Sequence, residues 1–273
     1  MFKYSHRKSK FQAFVSMTEL MYHATVRNVR SSHGNAVIGL LLNMMQAMIM
    51  LAAFYLMFSI LGLRGTAIRG DFLIYLMTGI FLFLTHNKGL GAVLGAEGPT
   101  SPMMKHAPMN TIIAIGSAAF GSLYTSTLSM FTMLFIYHIA FSPIWMPEPI
   151  QAFSMFLLAW ASGCAIGLVL LAAKPWVPGV VRIASTIYTR ANMIASGKMF
   201  VANTLPSSML AMFDWNPLFH TIDQARGFAF INYYPHNSTI LYPIKLTIVM
   251  LLIGMMGEFV TRRSASLSWT ARS

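Results

Sequence analysis

The chain has 273 residues, a formal net charge of +12 and one cysteine; 56% of its residues are hydrophobic and only 10% are charged. Its mean hydropathy is +0.61, and soluble domains carry about 25% charged residues, so this composition excludes an ordinary soluble enzyme or binding domain. The single cysteine excludes a disulfide within the chain. Many of the basic residues flank the apolar runs at the two ends of the chain, which favours membrane anchoring over nucleic-acid binding.

The N-terminal residues predict a helix on the membrane surface. Polar side chains recur every three or four positions, at Gln12, Ser16, Glu19, His23, Arg27 and Arg30. This is the period of an amphipathic helix that lies in the interface with its basic face in water. An irregular anchored tail is the alternative. We assign residues 1–35 to a cytoplasmic tail and this interfacial helix.

The next feature is a set of long runs without Asp, Glu, Lys or Arg, at Ala36 to Gly62, Thr111 to Ala140 and Ile150 to Ala173. Because about 20 apolar residues suffice for a helix to cross the bilayer core, each run predicts a membrane span. Further spans are predicted at residues 72–94, 183–212 and 244–260. The predicted fold is an all-α, polytopic membrane protein with six transmembrane helices in residues 36–261 and a tail at 262–273.

Lysine and arginine set the predicted orientation. With both termini in the cytoplasm, the outer segments hold only Arg64, Arg69 and Arg226, and an excess of basic residues is typical of cytoplasmic loops. The inner connector 96–109 contains three prolines and cannot be one continuous helix. The polar, aromatic segment 213–242 predicts an outer gate of short re-entrant helices before the last span, which are allowed only where protein or water satisfies their backbone.

The segment from Ser196 onward has a distinctive pattern. SGKMFVANTLP and WNPLFHTIDQARGFAF contain a Ser-Gly pair, a Leu-Pro pair, Asn-Pro-Leu and a later arginine, namely Ser196, Gly197, Leu205, Pro206, Asn216, Pro217, Leu218 and Arg226. Together with YLMTGIFLFLTHNKG in the second span, this pattern resembles the permease subunit of ABC (ATP-binding cassette) exporters. The similar branch exports capsular polysaccharides, O-antigens and teichoic acids.

The resemblance implies a homodimer of six-span subunits in the bacterial inner membrane, with two cytoplasmic ABC ATPase subunits. The chain contains no GxxxxGK[ST] sequence, so ATP and Mg²⁺ are expected on the partner ATPase. This chain is expected to bind no metal or cofactor and to be a transport subunit rather than an enzyme. Its other expected partners are the lipid bilayer, the polysaccharide, and periplasmic and outer-membrane export proteins, but not nucleic acid.

The resemblance also implies where the ATPase docks, namely on the interfacial helix and on a coupling element within the connector. The residues concerned are Tyr22, Arg27, Arg30, Thr100, Met104, Lys105 and His106. A kinked, compact connector suits this role, and a plain loop is the alternative.

Two basic residues lie within the weakly apolar fifth span, where a charge costs at least about 2.5–3.5 kcal/mol. On one helix, Arg190 and Lys198 would be about 12 Å apart along the axis and about 80° apart around it, so both can face one cavity for an anionic glycan. Snorkelling of Arg190 to the interface is the alternative. Sugars stack on aromatic rings, and the aromatic pathway candidates are Tyr55, Tyr75, Tyr188, Phe200, Trp215, Tyr233 and Tyr234. The outer-gate candidates are Asp214, Asn216, Pro217 and Arg226.

Two other functions stay open at this point. A permease of this kind can carry drugs or another lipid-linked polymer. A membrane glycosyl- or acyltransferase needs paired acids, a metal site or a His–acid base near one membrane face. The seven acidic residues are scattered, and the closest His–acid pair, His220 and Asp223, falls within the exporter-like motif. We therefore favour the exporter permease.

Overall fold

A computed structural model describes residues 10–31, 36–62, 68, 70–98 and 111–270 of the chain. Within these residues the secondary structure is all helical, as predicted. The nine α-helices found there are α1 (Lys10–Ser31), α2 (Ala36–Ile60), α3 (Phe72–Leu94), α4 (Thr111–Ala140), α5 (Pro149–Ala173), α6 (Pro178–Ala195), α7 (Ser207–Phe213), α8 (Pro217–Ala229) and α9 (Leu241–Thr270). A 3-10 turn at Ala202–Thr204 precedes α7.

Four of the described helices are long and apolar enough to cross a membrane: Val37–Ile60, Thr111–Ala140, Pro149–Ala173 and Leu241–Ser264. They coincide with the predicted first, third, fourth and last spans. These four helices indicate a multi-pass membrane protein. A helix, α3, forms at the predicted second span, but the polar run His86, Asn87 and Lys88 in its second half lowers its hydropathy, and it is not one of these four helices.

The predicted fifth span does not form one helix. Helix α6 ends at Ala195, and the chain then makes an irregular turn before the 3-10 turn and α7. A glycine in the left-handed region, Gly197 with φ 76°, and Pro206 stop the helical backbone. The prediction that Arg190 and Lys198 share one helix is therefore wrong, because Lys198 lies beyond the end of α6.

Helix starts follow from local sequence. Proline stands first in α5, α6 and α8, where its missing N–H costs nothing. Asp71 caps α3: its carboxylate accepts the Leu73 N–H at 2.9 Å and the hydroxyls of Tyr137 and Ser142. Desolvation by burial raises the pKa of Asp71, but these hydrogen bonds favour the charged form more strongly, so its pKa lies below the ordinary value.

Helix α3 forms the centre of the bundle, with 15 of its 23 residues buried. It packs closely against α5, where a Cβ atom added to Gly163 would lie 2.1 Å from the His86 carbonyl oxygen. A Cβ atom at Gly167 would lie 2.7 Å from the Leu90 carbonyl oxygen. The two glycines form a GxxxG spacing, which allows two helix backbones to approach closely in membranes.

The predicted N-terminal helix is present as α1, and it packs on α4. Met21 and Val29 lie against Gly116 and Gly121 of that helix. Other apolar side chains of α1 point away from the bundle, among them Phe11 and Leu20. Helix α1 therefore has one face on the protein and another that is left to lipid or to a partner.

Candidate functional site

The main candidate site is the backbone turn at residues 196–201, which we call the cationic turn. It follows the end of α6 and is enclosed by α3 and α8. Arg226 of α8 is only 1% exposed. Its Nη1 donates to the carbonyl oxygens of Gly197 at 2.8 Å and Phe200 at 2.7 Å, and its Nη2 donates to that of Lys198 at 2.8 Å. One guanidinium thus binds three carbonyls that no helix satisfies.

Lys198 supplies the second buried cation, with 1% exposure. Its Nζ donates to the Met193 carbonyl oxygen at 2.7 Å, in the last turn of α6. The same ammonium lies 3.6 Å from the ring centroid of Phe83 and 5.5 Å from that of Phe54, a cation–π arrangement. A cation at the carbonyl end of a helix is also favoured by the helix dipole.

Close packing holds the turn in place. A Cβ atom at Gly79 of α3 would lie 2.9 Å from Nη2 of Arg226 and from Cα and the carbonyl oxygen of Lys198. Tyr75, one turn earlier on α3, places its ring 4.2 Å from the Arg226 guanidinium carbon. The site therefore depends on a small residue at position 79 and an aromatic residue at position 75.

Helix α8 carries Arg226 to the turn, and its start is fixed by the sequence Asn216-Pro217. The Asn216 side chain accepts the Leu218 N–H at 3.0 Å and donates to Asn192 Oδ1 at 2.8 Å and to the Ala195 carbonyl at 3.1 Å. Asn216 and Pro217 are both buried. Asn216 thus caps α8 and ties it to the end of α6, which explains the Asn-Pro-Leu motif in structural terms.

A buried carboxylate stabilises the chain beyond α8. Asp223 accepts hydrogen bonds from the hydroxyls of Tyr233 and Ser238. Burial, followed by the neighbouring Asp223 charge, holds the pKa of Tyr233 above its ordinary value. His220 accepts the Thr239 N–H at 3.1 Å and donates to the Asp214 carbonyl at 2.7 Å. The segment between α8 and α9 is therefore folded back on α8.

A second polar cluster connects α6 to the bundle. His86 is fully buried, with Nδ1 3.0 Å from the Ala159 carbonyl oxygen and Nε2 2.9 Å from the Tyr188 hydroxyl. Because a carbonyl only accepts, we assign the proton to Nδ1, and the Tyr188 hydroxyl then donates to Nε2. His86 is therefore part of the protein interior.

The pathway candidates are found in different environments. Arg190, Trp215 and Tyr234 are exposed, Tyr55, Tyr188 and Phe200 are half-buried, and Tyr75, Tyr233 and Lys198 are buried. The structure brings Tyr75, Lys198 and Phe200 together at the cationic turn, but it does not place Arg190 there. Of the outer-gate candidates, Asn216, Pro217 and Arg226 are buried and Asp214 is exposed. The Asp214 Oδ1 atom lies 3.2 Å from His220 Nε2.

The ATPase-docking candidates are only partly described. Tyr22 and Arg27 are exposed on α1. The side chain of Arg30 and the residues Thr100, Met104, Lys105 and His106 lie outside the described residues. These assignments stay predictions.

Sequence reasoning missed several residues that build the site. Gly79 and Phe83 lie in an apolar run, and the sequence alone does not tell a residue that contacts a buried cation from one that contacts lipid. His86 and Tyr188 are far apart in sequence, so their pairing leaves no local signal. The GCAIG sequence at 163–167 did carry a readable signal for close helix packing.

The buried polar groups of the cationic turn bind and support the backbone. The two buried cations are bound to backbone carbonyls, and in the part of the chain that is described no three His, Cys, Asp or Glu side chains form a group that could hold a metal ion. No protein-family model and no curated protein matches this chain.

Proposed function

We propose that this chain is the membrane-spanning permease subunit of an ATP-driven ABC exporter that moves a surface polysaccharide out of the cytoplasm. The polysaccharide is of capsular or O-antigen type. In this proposal α3 and α6 are the second and fifth of six spans, and both termini lie in the cytoplasm of a bacterium. A pair of ABC ATPase subunits binds ATP and Mg²⁺ and drives a homodimer of the permease.

The observation that carries the proposal is the interrupted helix at the cationic turn. Irregular backbone at membrane depth is tolerated where it is buried in protein or lines a water-filled cavity, and transporters use such discontinuous helices near their substrate paths. Here the break is held by the buried cations Lys198 and Arg226. The same segment contains the exporter-like motif, so its pattern and its geometry support one interpretation.

The surface of α6 supports a path between two copies. The helix has only two buried residues, Val181 and Asn192. Its exposed side carries Val180, Ile183, Ile187 and Ile194 at helical spacing, with the exposed Arg190 in the same series. We propose that this face of α6 and the exposed apolar residues of α2 meet their counterparts across the dimer, and that Arg190 faces the polymer.

Lys198 receives a different role within the proposal. Its ammonium is enclosed by Phe83, Phe54 and the end of α6, so we place it behind the pathway wall, where it supports the turn. Among the aromatic pathway candidates, Trp215 and Tyr234 are exposed, so a sugar can reach them from outside the bundle.

The first experiment tests the partner. The tagged full-length chain is purified from its native membranes in mild detergent. We expect an ABC ATPase to co-purify in equal amount and to hydrolyse ATP in the complex. Purified chain that lacks an ATPase and transfers a sugar or acyl group by itself would contradict the proposal and favour the transferase.

The second experiment tests the path with matched variants of α6. Arg190→Glu is expected to reduce the surface glycan strongly while the complex still assembles, because the variant places a repulsive charge beside an anionic polymer. Arg182→Glu, the same substitution at another exposed arginine of the same helix, is the control. Export of drugs but not of glycan by the wild-type complex would favour the drug permease.

A further inference from the structure

A buried carboxylate in the last long helix lies at the start of α4. Glu258 of α9 is 7% exposed and Thr111, the first residue of α4, is 4% exposed. The Thr111 hydroxyl donates to Glu258 Oε1 at 2.6 Å. Glu258 lies within the candidate span Leu241–Ser264, where an acidic residue is costly and normally has a specific function.

The position of Glu258 explains how it is accommodated. The first N–H groups of a helix have no partner within the helix, and the helix dipole places partial positive charge there. A carboxylate beside Thr111 therefore stabilises the first turn of α4. Glu258 reaches this turn from another helix through the Thr111 hydroxyl, and we call this contact the cap.

The chain segment between α3 and α4 has a matching contact at its other end. Leu94 is the last residue of α3, and its carbonyl oxygen accepts a hydrogen bond from Lys174 Nζ at 3.3 Å. A cation is favoured at a helix C-terminus as an anion is at an N-terminus. Lys174 is exposed, so its contribution is the smaller of the two. The end of α3 is thus contacted by Lys174, which directly follows α5. The start of α4 is contacted by Glu258 of α9.

Next to Glu258, helix α9 also packs closely against α5. One turn beyond Glu258, Thr261 donates to the Ala172 carbonyl at 3.1 Å and accepts the Trp176 indole N–H at 3.0 Å. A Cβ atom at Gly257 would lie 2.9 Å from the Ala172 Cβ. The first turn of α4 is thus in contact with α9, and α9 is in close contact with α5.

We infer that Glu258 is a positioning residue that transmits movement of the first turn of α4 to α9 and α5. This inference rests on the proposed function, in which an ATPase drives the permease from the cytoplasmic side. Glu258 touches no substrate in this role. It converts a push on the start of α4 into a shift of two membrane helices.

The test measures the cap and the coupling separately. The first readout is hydrogen exchange of peptides covering Thr111–Phe120 in lipid nanodiscs, and the second is glycan exported per ATP hydrolysed in complex with the co-purified ATPase. The variants are Glu258→Ala, the milder Glu258→Gln, Thr111→Val and the conservative Thr111→Ser. Glu148→Ala is the control, because Glu148 is exposed and its side chain makes no cap hydrogen bond.

We expect Glu258→Ala and Thr111→Val to accelerate exchange about tenfold or more, since each removes a hydrogen bond that involves a charged acceptor. Glu258→Gln should have a smaller effect, and Thr111→Ser and Glu148→Ala none. ATP hydrolysis should continue in Glu258→Ala while the glycan exported per ATP falls at least about fivefold.

Three results would overturn the inference, and they can be told apart. Unchanged exchange in both Glu258→Ala and Glu258→Gln would show that the cap does not exist. Faster exchange with normal coupling would show that the cap transmits nothing, while the proposed function would stand. Wild-type chain that binds no ATPase would remove the proposed function and this inference together.

Discussion

The most informative perturbation is Arg226→Met, which removes the guanidinium and keeps much of the side-chain volume. The guanidinium makes three hydrogen bonds of 2.7–2.8 Å to buried carbonyls and lies on the Tyr75 ring. A hydrogen bond to a charged group contributes about 1.5–3 kcal/mol. The substitution also removes the free-energy cost of burying the guanidinium charge. The contributions of the three hydrogen bonds therefore cannot simply be summed.

Leaving a buried carbonyl oxygen without a donor costs about 1–3 kcal/mol, and three carbonyl oxygens lose a donor here. A loss of about 4 kcal/mol lowers the unfolding temperature of a chain of this size by about 10 °C. Arg226→Lys should recover only part of this loss, because an ammonium cannot reach three carbonyls at once in the geometry of a planar guanidinium.

The chain offers its own probe for this measurement. Its single cysteine, Cys164, is buried in α5, so a thiol-reactive fluorophore should label it only as the bundle opens. Labelling during a temperature ramp therefore gives the unfolding temperature in detergent or nanodiscs. Arg190→Met is the control, since Arg190 is exposed and its loss should change stability by less than about 0.5 kcal/mol. An Arg226→Met midpoint equal to that of Arg190→Met would refute the role of Arg226 at the turn.

Three other predictions use the same labelling assay. Gly79→Ala should destabilise the protein because its Cβ would overlap the cationic turn, whereas Gly91→Ala on the same helix, with open space around it, should not; equal midpoints would contradict the packing at position 79. Lys198→Glu should destabilise strongly, by placing a carboxylate against the Phe83 ring and a carbonyl oxygen, and Lys198→Met should destabilise less, because it loses the cation without adding a repulsive charge; a Lys198→Met midpoint equal to that of wild type would contradict a stabilising cation–π contact. Because the pKa of Asp71 is lowered in the folded protein, its stabilisation is present above the ordinary carboxyl pKa of about 3.9 and is lost as pH falls through the lower folded value. The stability difference between wild type and Asp71→Asn should thus shrink as pH falls below about 4, and a difference independent of pH would contradict the hydrogen bonds to that carboxylate.

Much of the fold could be predicted from the sequence because apolar runs are a local signal. The boundaries predicted for the second and third spans, residues 72–94 and 111–140, are those of α3 and α4. The last helix is longer than the predicted span 244–260, because helical backbone continues from Leu241 to Thr270 into residues that are not apolar. The length and hydrophobicity of an apolar run predict the position of a span well. They predict the ends of its helix less well, because the helix can continue into polar residues.

The break after α6 could not be predicted in the same way. Gly197 and Lys198 occur in a sequence that is still apolar on average. The turn is stabilised in part by Arg226, which lies in a helix distant in sequence and binds its carbonyl oxygens. The motif from Ser196 to Arg226 contains both cations of the cationic turn. It did not reveal that Lys198 and Arg226 stabilise backbone carbonyls, because that depends on contacts between α3, α6 and α8.

The central claim is ATP-driven export of a surface glycan, and the most direct measurement is deletion of the gene followed by analysis of cellular glycans. We expect one surface polysaccharide to disappear from the cell exterior and its polymer to accumulate inside, with recovery on expression of the wild-type chain but not of Arg226→Met. Unchanged surface polysaccharides with no polymer retained in the cytoplasm would contradict the account.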